Sequence, residues 1–598
     1  MTSDSNADLD EVPRPQVEVF DHTLMWPVLL HDTRTDSQRK PKSGRAKLEE
    51  YRQEIESTGV WKRVDTAKDE NFCQPYNEVV YFHPFARKFL YDRPDGFNVD
   101  DPEFNEGVWQ FERNDIVGVT VTLGNDVKIT LAVSKVQLFL FDTFVAVAVI
   151  RLTNANSWSD DPETKSPRLN RDDKALRDRL SAEDQEQLGP IDLDVVLAFQ
   201  EVFRRCYPPF WYDDGSAGLC PHSVDWIMDK STTTSEKQIS SDYREQTKFR
   251  DFVSRNVQSP VVQHFQFVMA PLVPYRRKHE GIQQRWLAYR QILDERIPVM
   301  SYVAVDRTDR MREADFFRLT FCDSPGNHPG VFPYSIGSPD VKNFPGDFVY
   351  DRFWGQKFRE EVGGKWLKEQ REGASEWTRY LCCGFGFVAV GSQSSWMFRE
   401  LIRKHMQHHY FKLGLIAHFG RASLLAFDDR LAYAVQGRTS GDSWLSCVNA
   451  ETTFRRKVRE IEDDFVTFRT RYWFAEVSNH LQAREMFDWW GRHLEVDSLF
   501  KQVEGKIHTV NEVLERQDTQ ELNQKVERLT TWGISIALAS LGAAIFTIAQ
   551  TAAEIKFESR PFKWIAGITL FASLLAITVV ILNDLGKCIE KRIKRDRK

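Results

Sequence analysis

Two uncharged segments near the C-terminus, residues 529–553 and 564–583, constrain this chain more than any other feature. Each reaches or exceeds the roughly 20 residues a helix needs to cross about 30 Å of hydrocarbon. Globular helices this long and apolar on every face are uncommon, so both read as membrane spans. The link between them, 554–563, carries charges and Pro561, so the chain surfaces there and turns back. Beyond the second span lies a basic tail with Lys587, Lys591, Arg592, Lys594, Arg595, Arg597 and Lys598, whereas the link has only Lys556, Arg560 and Lys563. The positive-inside rule then puts the tail in the cytosol and the link outside. Two spans return the chain to its starting side, so the large N-terminal portion is expected in the cytosol too. Residues 1–16, acidic and proline-containing without an apolar core, do not read as a signal peptide. The expectation is a multi-pass protein of the cell membrane, inner or plasma, with both termini cytosolic.

The rest of the chain reads as soluble. A net charge of −7 with 28% charged residues suits a soluble bulk of more than one domain and does not favour nucleic acid. The cysteines are scattered without a C-x-x-C pair, which fits a reducing compartment and implies neither a disulfide framework nor a zinc module. Residues 1–71 read as a polar arm followed by one helix with Leu48, Tyr51 and Ile55 on a face. A domain spanning 72–392 follows, with its first strand over 77–85. Val117, Val119, Val121 and Leu123 alternate up to a Gly124-Asn125-Asp126 turn, Val127 to Val133 alternate again, then Val136, Leu138 and Leu140, and residues 144–152 are almost continuously apolar. This is an antiparallel meander whose last strand is buried on both faces, with a helix over 193–206 packed on it. Residues 154–190 read as a polar excursion; further strands are expected over 299–305, 316–322 and 380–390. The Gly384-Phe385-Gly386 stretch is faintly glycine-rich, but its apolar alternation says strand rather than dinucleotide loop. Helices take over in 393–493, over 396–435 and 453–492.

The stalk, 494–529, carries Val496, Leu499, Val503, Ile507, Val510, Leu514, Leu522, Val526 and Leu529 in steps of three and four, widened once near Gln517-Asp518. That is a coiled-coil-like seam. It leads into the first span, 530–553, as one helix of about 55 residues, roughly 80 Å long. No monomer covers such a seam, so an oligomer with stalks along its axis is expected. The outer loop is 554–563, the second span 564–583 and the cytosolic tail 584–598.

The residues where the helix meets the membrane, Asn523-Gln524-Lys525-Val526-Glu527-Arg528-Leu529-Thr530, resemble the N-x-x-(M/V)-x-x-L-T pattern of the CorA family of divalent cation transporters, which includes ZntB-like members. The order of parts agrees over about the last hundred residues, and the N-terminal domain agrees in outline but is larger than the family's usual one. The resemblance implies a homopentamer whose first span lines a central pore. Carried over by position, the pore stripe is Asn523, Val526, Leu529, Thr530, Gly533, Ala537, Ser540, Ala544 and Thr547, small or polar where it enters the membrane and on one helix face. Small residues at this spacing also let spans pack closely. The sequence departs from the family at its Gly-Met-Asn signature, whose place is held by Thr547-Ile548-Ala549. Gln550 and Thr551 could offer oxygen dipoles to a hydrated cation, and Glu554 and Glu558 could concentrate cations at the outer mouth.

His405 and His409 stand at i,i+4 metal-ligand spacing with His408 between them, though no third ligand follows at short range. Glu462, Asp463 and Asp464 are a charge run that the resemblance makes a candidate for a regulatory divalent ion. No nucleophile, base and orienter converge, so an enzyme is not expected. These readings predict an α+β cytosolic domain, a long stalk helix and two C-terminal transmembrane helices of CorA-like arrangement. The function expected is a cation channel or transporter, its ion divalent, magnesium or zinc, gated by the cytosolic domain. Its partners are copies of itself, the bilayer, and an ion or small-molecule ligand of the cytosolic domain. A second reading is a membrane-anchored signalling or defence effector built on the same frame without selective magnesium transport.

Overall fold

The computed structural model describes residues 14–34, 44–57, 59–64, 73–91, 108–124, 126–160, 167–207, 220–229, 238–243, 261–275, 286–325, 350–354, 378–438, 444–554, 568 and 571–572. The chain divides into two compact units, Met1–Glu504 and Gly505–Lys598. The first is a mixed α/β unit; the second contains most of a long helix.

The first unit is organised around β1, Gln16–Asp32. This corrects the reading of 1–71 as a polar arm with one helix. The strand's pattern, QVEVFDHTLMWPVLLHD, loses clean alternation because both of its faces are covered. Phe20 and His22 meet Phe199 of the helix Leu193–Phe203, while Asp21, on the other face, meets Arg403. Pro27 hid the strand, since proline cannot donate to a ladder. In the fold it lies where no donor is needed: one neighbour strand pairs with Val17 to Leu24 and another with Val28 to Asp32, and Pro27 falls in the gap between them.

The meander follows as β2 (Ile116–Thr122), β3 (Lys128–Leu140) and β4 (Val145–Thr153), all antiparallel, with a register shift between Val133 and Lys135 of β3. Later strands are β5 (Ser223–Met228), β6 (Gln238–Asp242), β7 (Leu287–Gln291), β8 (Val299–Val305), β9 (Tyr350–Trp354), β10 (Thr378–Cys382) and β11 (Gly386–Ser392). The sheet runs in the order β6-β5-β2-β3-β4-β1-β8-β11-β10-β9, with β7 paired to the far half of β1. Along this path β8 and β11 are parallel and every other neighbouring pair is antiparallel.

Among the helices are α1 (Gly44–Ser57), α2 (Cys73–Val80), α3 (Pro84–Leu90), α4 (Leu193–Phe203), α5 (Glu313–Phe321), α6 (Arg403–Gln407), α7 (His409–Arg438), α8 (Trp444–Arg471), α9 (Leu481–His493) and α10 (Val496–Glu554). Leu48, Tyr51 and Ile55 are buried, as the spacing of α1 predicts. Three expected strands are different. Residues 77–85 cover the end of α2, a turn at 81–83 and the start of α3, which is opened by Pro84 in its first turn, where a missing N–H costs nothing. Residues 316–322 lie in α5 and its left-handed cap at Cys322, with Phe316, Phe317 and Leu319 buried. Residues 380–390 form two strands, β10 and β11, joined by a turn with Gly384 at φ +85°. The helix expected over 396–435 begins as a π-helix at Met397–Ile402 and breaks at His408; that over 453–492 breaks between α8 and α9. The polar excursion contains a two-strand hairpin and two short helices, and its Asp173 is buried.

Gly386 is the closest approach in the sheet domain: a Cβ there would lie 1.9 Å from the Thr320 carbonyl oxygen at the end of α5. Gly386→Ala is therefore expected to push α5 from β11 and cost more than the ~1–3 kcal/mol of ordinary overpacking. A fall of several degrees in the unfolding midpoint of the full-length protein checks this.

Candidate functional site: the long C-terminal helix

Helix α10 runs unbroken from Val496 to Glu554, with no proline between those residues. Its 59 residues include a stretch long and apolar enough to cross a membrane, and most of that stretch is exposed. Five of its hydroxyls are satisfied within the helix. Thr530, Thr531, Ser535, Ser540 and Thr547 each donate to the carbonyl four residues back, at 2.7 to 2.9 Å. None of these five then demands water, which is what hydrocarbon requires.

The faces of α10 are unequal. Val503 of the seam is buried, but Leu522, Val526 and Leu529 are 60%, 51% and 71% exposed. Trp532, Ile534, Ile536, Leu538 and Leu541 continue the exposed apolar surface. Asn523, Val526, Leu529, Thr530, Gly533, Ala537, Ser540, Ala544 and Thr547 all lie on one exposed side, and a Cβ added at Gly533 would meet nothing within 4 Å. At 3.6 residues per turn, Thr531, Ser535, Ala539, Gly542 and Ile545 fall opposite, and these are the more covered positions. Gln550 is exposed and Glu554 ends the helix. Glu558 and the basic tail lie outside the described residues; of the second uncharged segment only Ile568, Phe571 and Ala572 are described, all helical and exposed.

The other candidates stand in the first unit and do not converge. His405 and His409 have ring centroids 5.1 Å apart, with the Tyr410 hydroxyl 3.3 Å from His405 Nδ1 and the Asn77 carbonyl 3.5 Å from His409 Nε2. Burial first, then the neighbouring histidines, pushes His405 down to about 4, so it stays neutral at physiological pH. Asp464 is held by Arg430 at 2.6 Å, Asp463 is exposed and Glu462 half-buried, all on α8. Among the described residues, no group of three His, Cys, Asp or Glu side chains is placed to hold a metal.

Sequence reasoning missed two charge clusters whose members lie far apart along the chain. Asp21 of β1 and Asp173 of the excursion share Arg403, which bonds the first at 2.7 and 2.9 Å and the second at 3.0 Å through both nitrogens. The second centres on Glu78 of α2, which takes bonds from the Tyr91 hydroxyl and from His408 at 2.9 Å each. Lys412 is buried nearby, its ammonium 5.0 Å from the Phe139 ring centre and 5.3 Å from that of Tyr91. Burial pushes Lys412 down to about 8 although Glu78 opposes the shift. Its amine ordinarily titrates near 10.5, so between pH 8 and 10.5 the unfolded chain binds more protons and the penalty on the folded state is relieved as pH rises. Below pH 8 the penalty is complete. Lys412→Met is expected to abolish this contribution, read as a smaller rise in the unfolding midpoint between pH 8 and 10 than in the unaltered protein.

No family model, curated protein or solved structure matches this chain.

Proposed function

We propose that the chain is a CorA-like membrane cation channel or transporter, its ion divalent, magnesium or zinc, with α10 lining the pore of a homo-oligomer, a pentamer by the resemblance, and the sheet domain in the cytosol controlling it. The observation that carries this reading is the asymmetry of α10: a stripe from Asn523 to Thr547 on one exposed side, small or polar from Thr530 onward, with more covered positions opposite. Exposed apolar side chains on this scale are unfavourable in water and are covered by lipid or by neighbouring copies of the helix. The second uncharged segment, 564–583, would supply a return span, placing both termini in the cytosol. Any regulatory ion or small ligand would act on the sheet domain.

Cysteine scanning along 523–547 in membranes tests the stripe. Cysteines at Gly533, Ala537, Ser540 and Ala544 should react with a charged, water-borne thiol reagent, and those at Ser535, Ala539 and Gly542 should not. Equal labelling of both sets would remove the pore face.

A second reading, a membrane-anchored sensor or effector, is favoured by Thr547-Ile548-Ala549 standing where the Gly-Met-Asn triplet would be. It predicts an intact oligomer in the bilayer that passes no ion until a ligand binds the sheet domain, and then either passes ions without selectivity or recruits partners without transport.

A further inference from the structure

Three separate parts of the first unit meet where α9 gives way to α10. The chain bends at His493, Leu494 and Glu495, and Glu495 sits in the left-handed region at φ +52°, a conformation costly for a residue with a Cβ. The Glu495 N–H donates to the Arg492 carbonyl, closing α9, and its own carbonyl accepts from Leu499 N–H, opening α10, both at 3.0 Å. The bend therefore belongs to both helices.

The turn between β10 and β11 presses on this bend. Gly384, at φ +85°, lies so close that a Cβ on it would stand 2.7 Å from the His493 carbonyl oxygen and 3.2 Å from the Leu494 nitrogen. Only glycine meets both conditions, the backbone conformation and the approach. Arg421 of α7 closes the third side: it donates to the Leu494 carbonyl, and its guanidinium carbon lies 5.4 Å from the ring centre of Phe385 in the same turn. One residue into β11, Phe387 stacks on Trp490 of α9 with ring centroids 4.5 Å apart. Leu494 is fully buried beneath this arrangement.

We infer that the Gly384 turn and Arg421 form a latch on the bend 493–495, and that the sheet domain acts on the first turns of α10 by moving this latch. A strained, non-glycine left-handed residue at the junction of two helices persists where its surroundings hold it. Released from Arg421 and the turn, His493 and Leu494 lose the contacts that fix the chain just before Glu495, and the first turns of α10 are freed to re-form differently. Sheet strands β10 and β11 end in the turn, so a ligand or contact that shifts these strands reaches α10 through very few residues. The effect of the latch on ion passage rests on the proposed function, whereas the latch itself does not.

Amide hydrogen exchange on the full-length protein in lipid nanodiscs tests the latch, with Arg421→Ala and Gly384→Ala compared to the unaltered chain. In both variants, amides 494–500 should exchange about tenfold faster or more, while those of β4 and β8 keep their protection. Unchanged exchange at 494–500 in Arg421→Ala, with β4 and β8 still protected, overturns the proposal. If the added Cβ of Gly384→Ala unfolds the sheet, Arg421→Ala decides alone, since it removes atoms and forces no clash. Ion flux of the same samples separates the two claims. Faster exchange with flux equal to that of the unaltered protein overturns the coupling role, and no flux in the unaltered protein overturns the pore reading while the exchange result stands.

Discussion

Arg403→Ala is expected to destabilise the sheet domain by about 3–5 kcal/mol, the range for removing one partner from a buried ion pair. The loss is large because Arg403 serves two carboxylates at once. Its side chain is 6% exposed, that of Asp21 12% and that of Asp173 3%. Removing the guanidinium leaves both acids with little water, at the point where β1, α6 and the excursion are tied together. The pH dependence has a definite sign. Burial pushes Asp21 up, but Arg403, by charge and by its two bonds, outweighs it and holds Asp21 below the ordinary carboxylate value of 3.8. That stabilisation is present above pH 3.8 and is lost as pH falls through the lower, folded value. In the variant the Asp21 carboxyl takes up its proton at higher pH, because burial is then opposed only by the bonds from Thr153 and Gln407. The deficit relative to the unaltered protein should thus be greatest near neutral pH and shrink toward pH 5. Thermal unfolding of both proteins at pH 7 and pH 5 checks the sign; a deficit that grows on acidification would contradict the pairing.

Leu529→Asp is the second large effect. Val526 and Leu529 are the last exposed seam residues where α10 enters its uncharged run, and in an oligomer with α10 at its axis they would form an apolar ring. Apolar constrictions close pores by excluding water, and a ring of carboxylates would hydrate it. The variant should leak ions at least about tenfold faster than the unaltered protein, equivalent to lowering the barrier by about 1.4 kcal/mol. The check is dye-reported flux in vesicles beside a crosslinking measurement of the oligomer. A tight vesicle containing an intact oligomer would put the constriction elsewhere.

What could be read from the sequence follows physical rules. The long helix was legible because its signal is made of many residues: the seam from Val496 to Leu529 and the uncharged run after it each repeat the same message. The strand at Val299–Val305 was legible because a short, largely apolar run between Pro298 and Asp306 leaves little choice, and the helix starting at Leu193 because its apolar positions recur at helical spacing. β1 was obscured by Pro27, whose tolerance depends on two later strands leaving a gap beside it. Residues 316–321 were misread because Phe316, Phe317, Leu319 and Phe321 suit a buried strand as well as a buried helix at this length. The charge clusters were illegible for a different reason. Asp21, Asp173 and Arg403 are brought together only by the sheet, and no local pattern marks any of them as a partner of the others. The stripe of α10 was legible as spacing, but whether it faces water, lipid or a second copy depends on surroundings that spacing does not encode.

The most direct measurement is ion flux in proteoliposomes of the purified full-length protein, comparing Mg²⁺, Zn²⁺, Co²⁺ and Na⁺, with Ser540→Trp as the plugged control. Ser540 lies midway along the stripe, so an indole there should fill the lumen of any pore the stripe lines. Divalent flux that the substitution abolishes is the result the account predicts. No flux of any ion through an intact oligomer, or flux that the tryptophan leaves untouched, would contradict it.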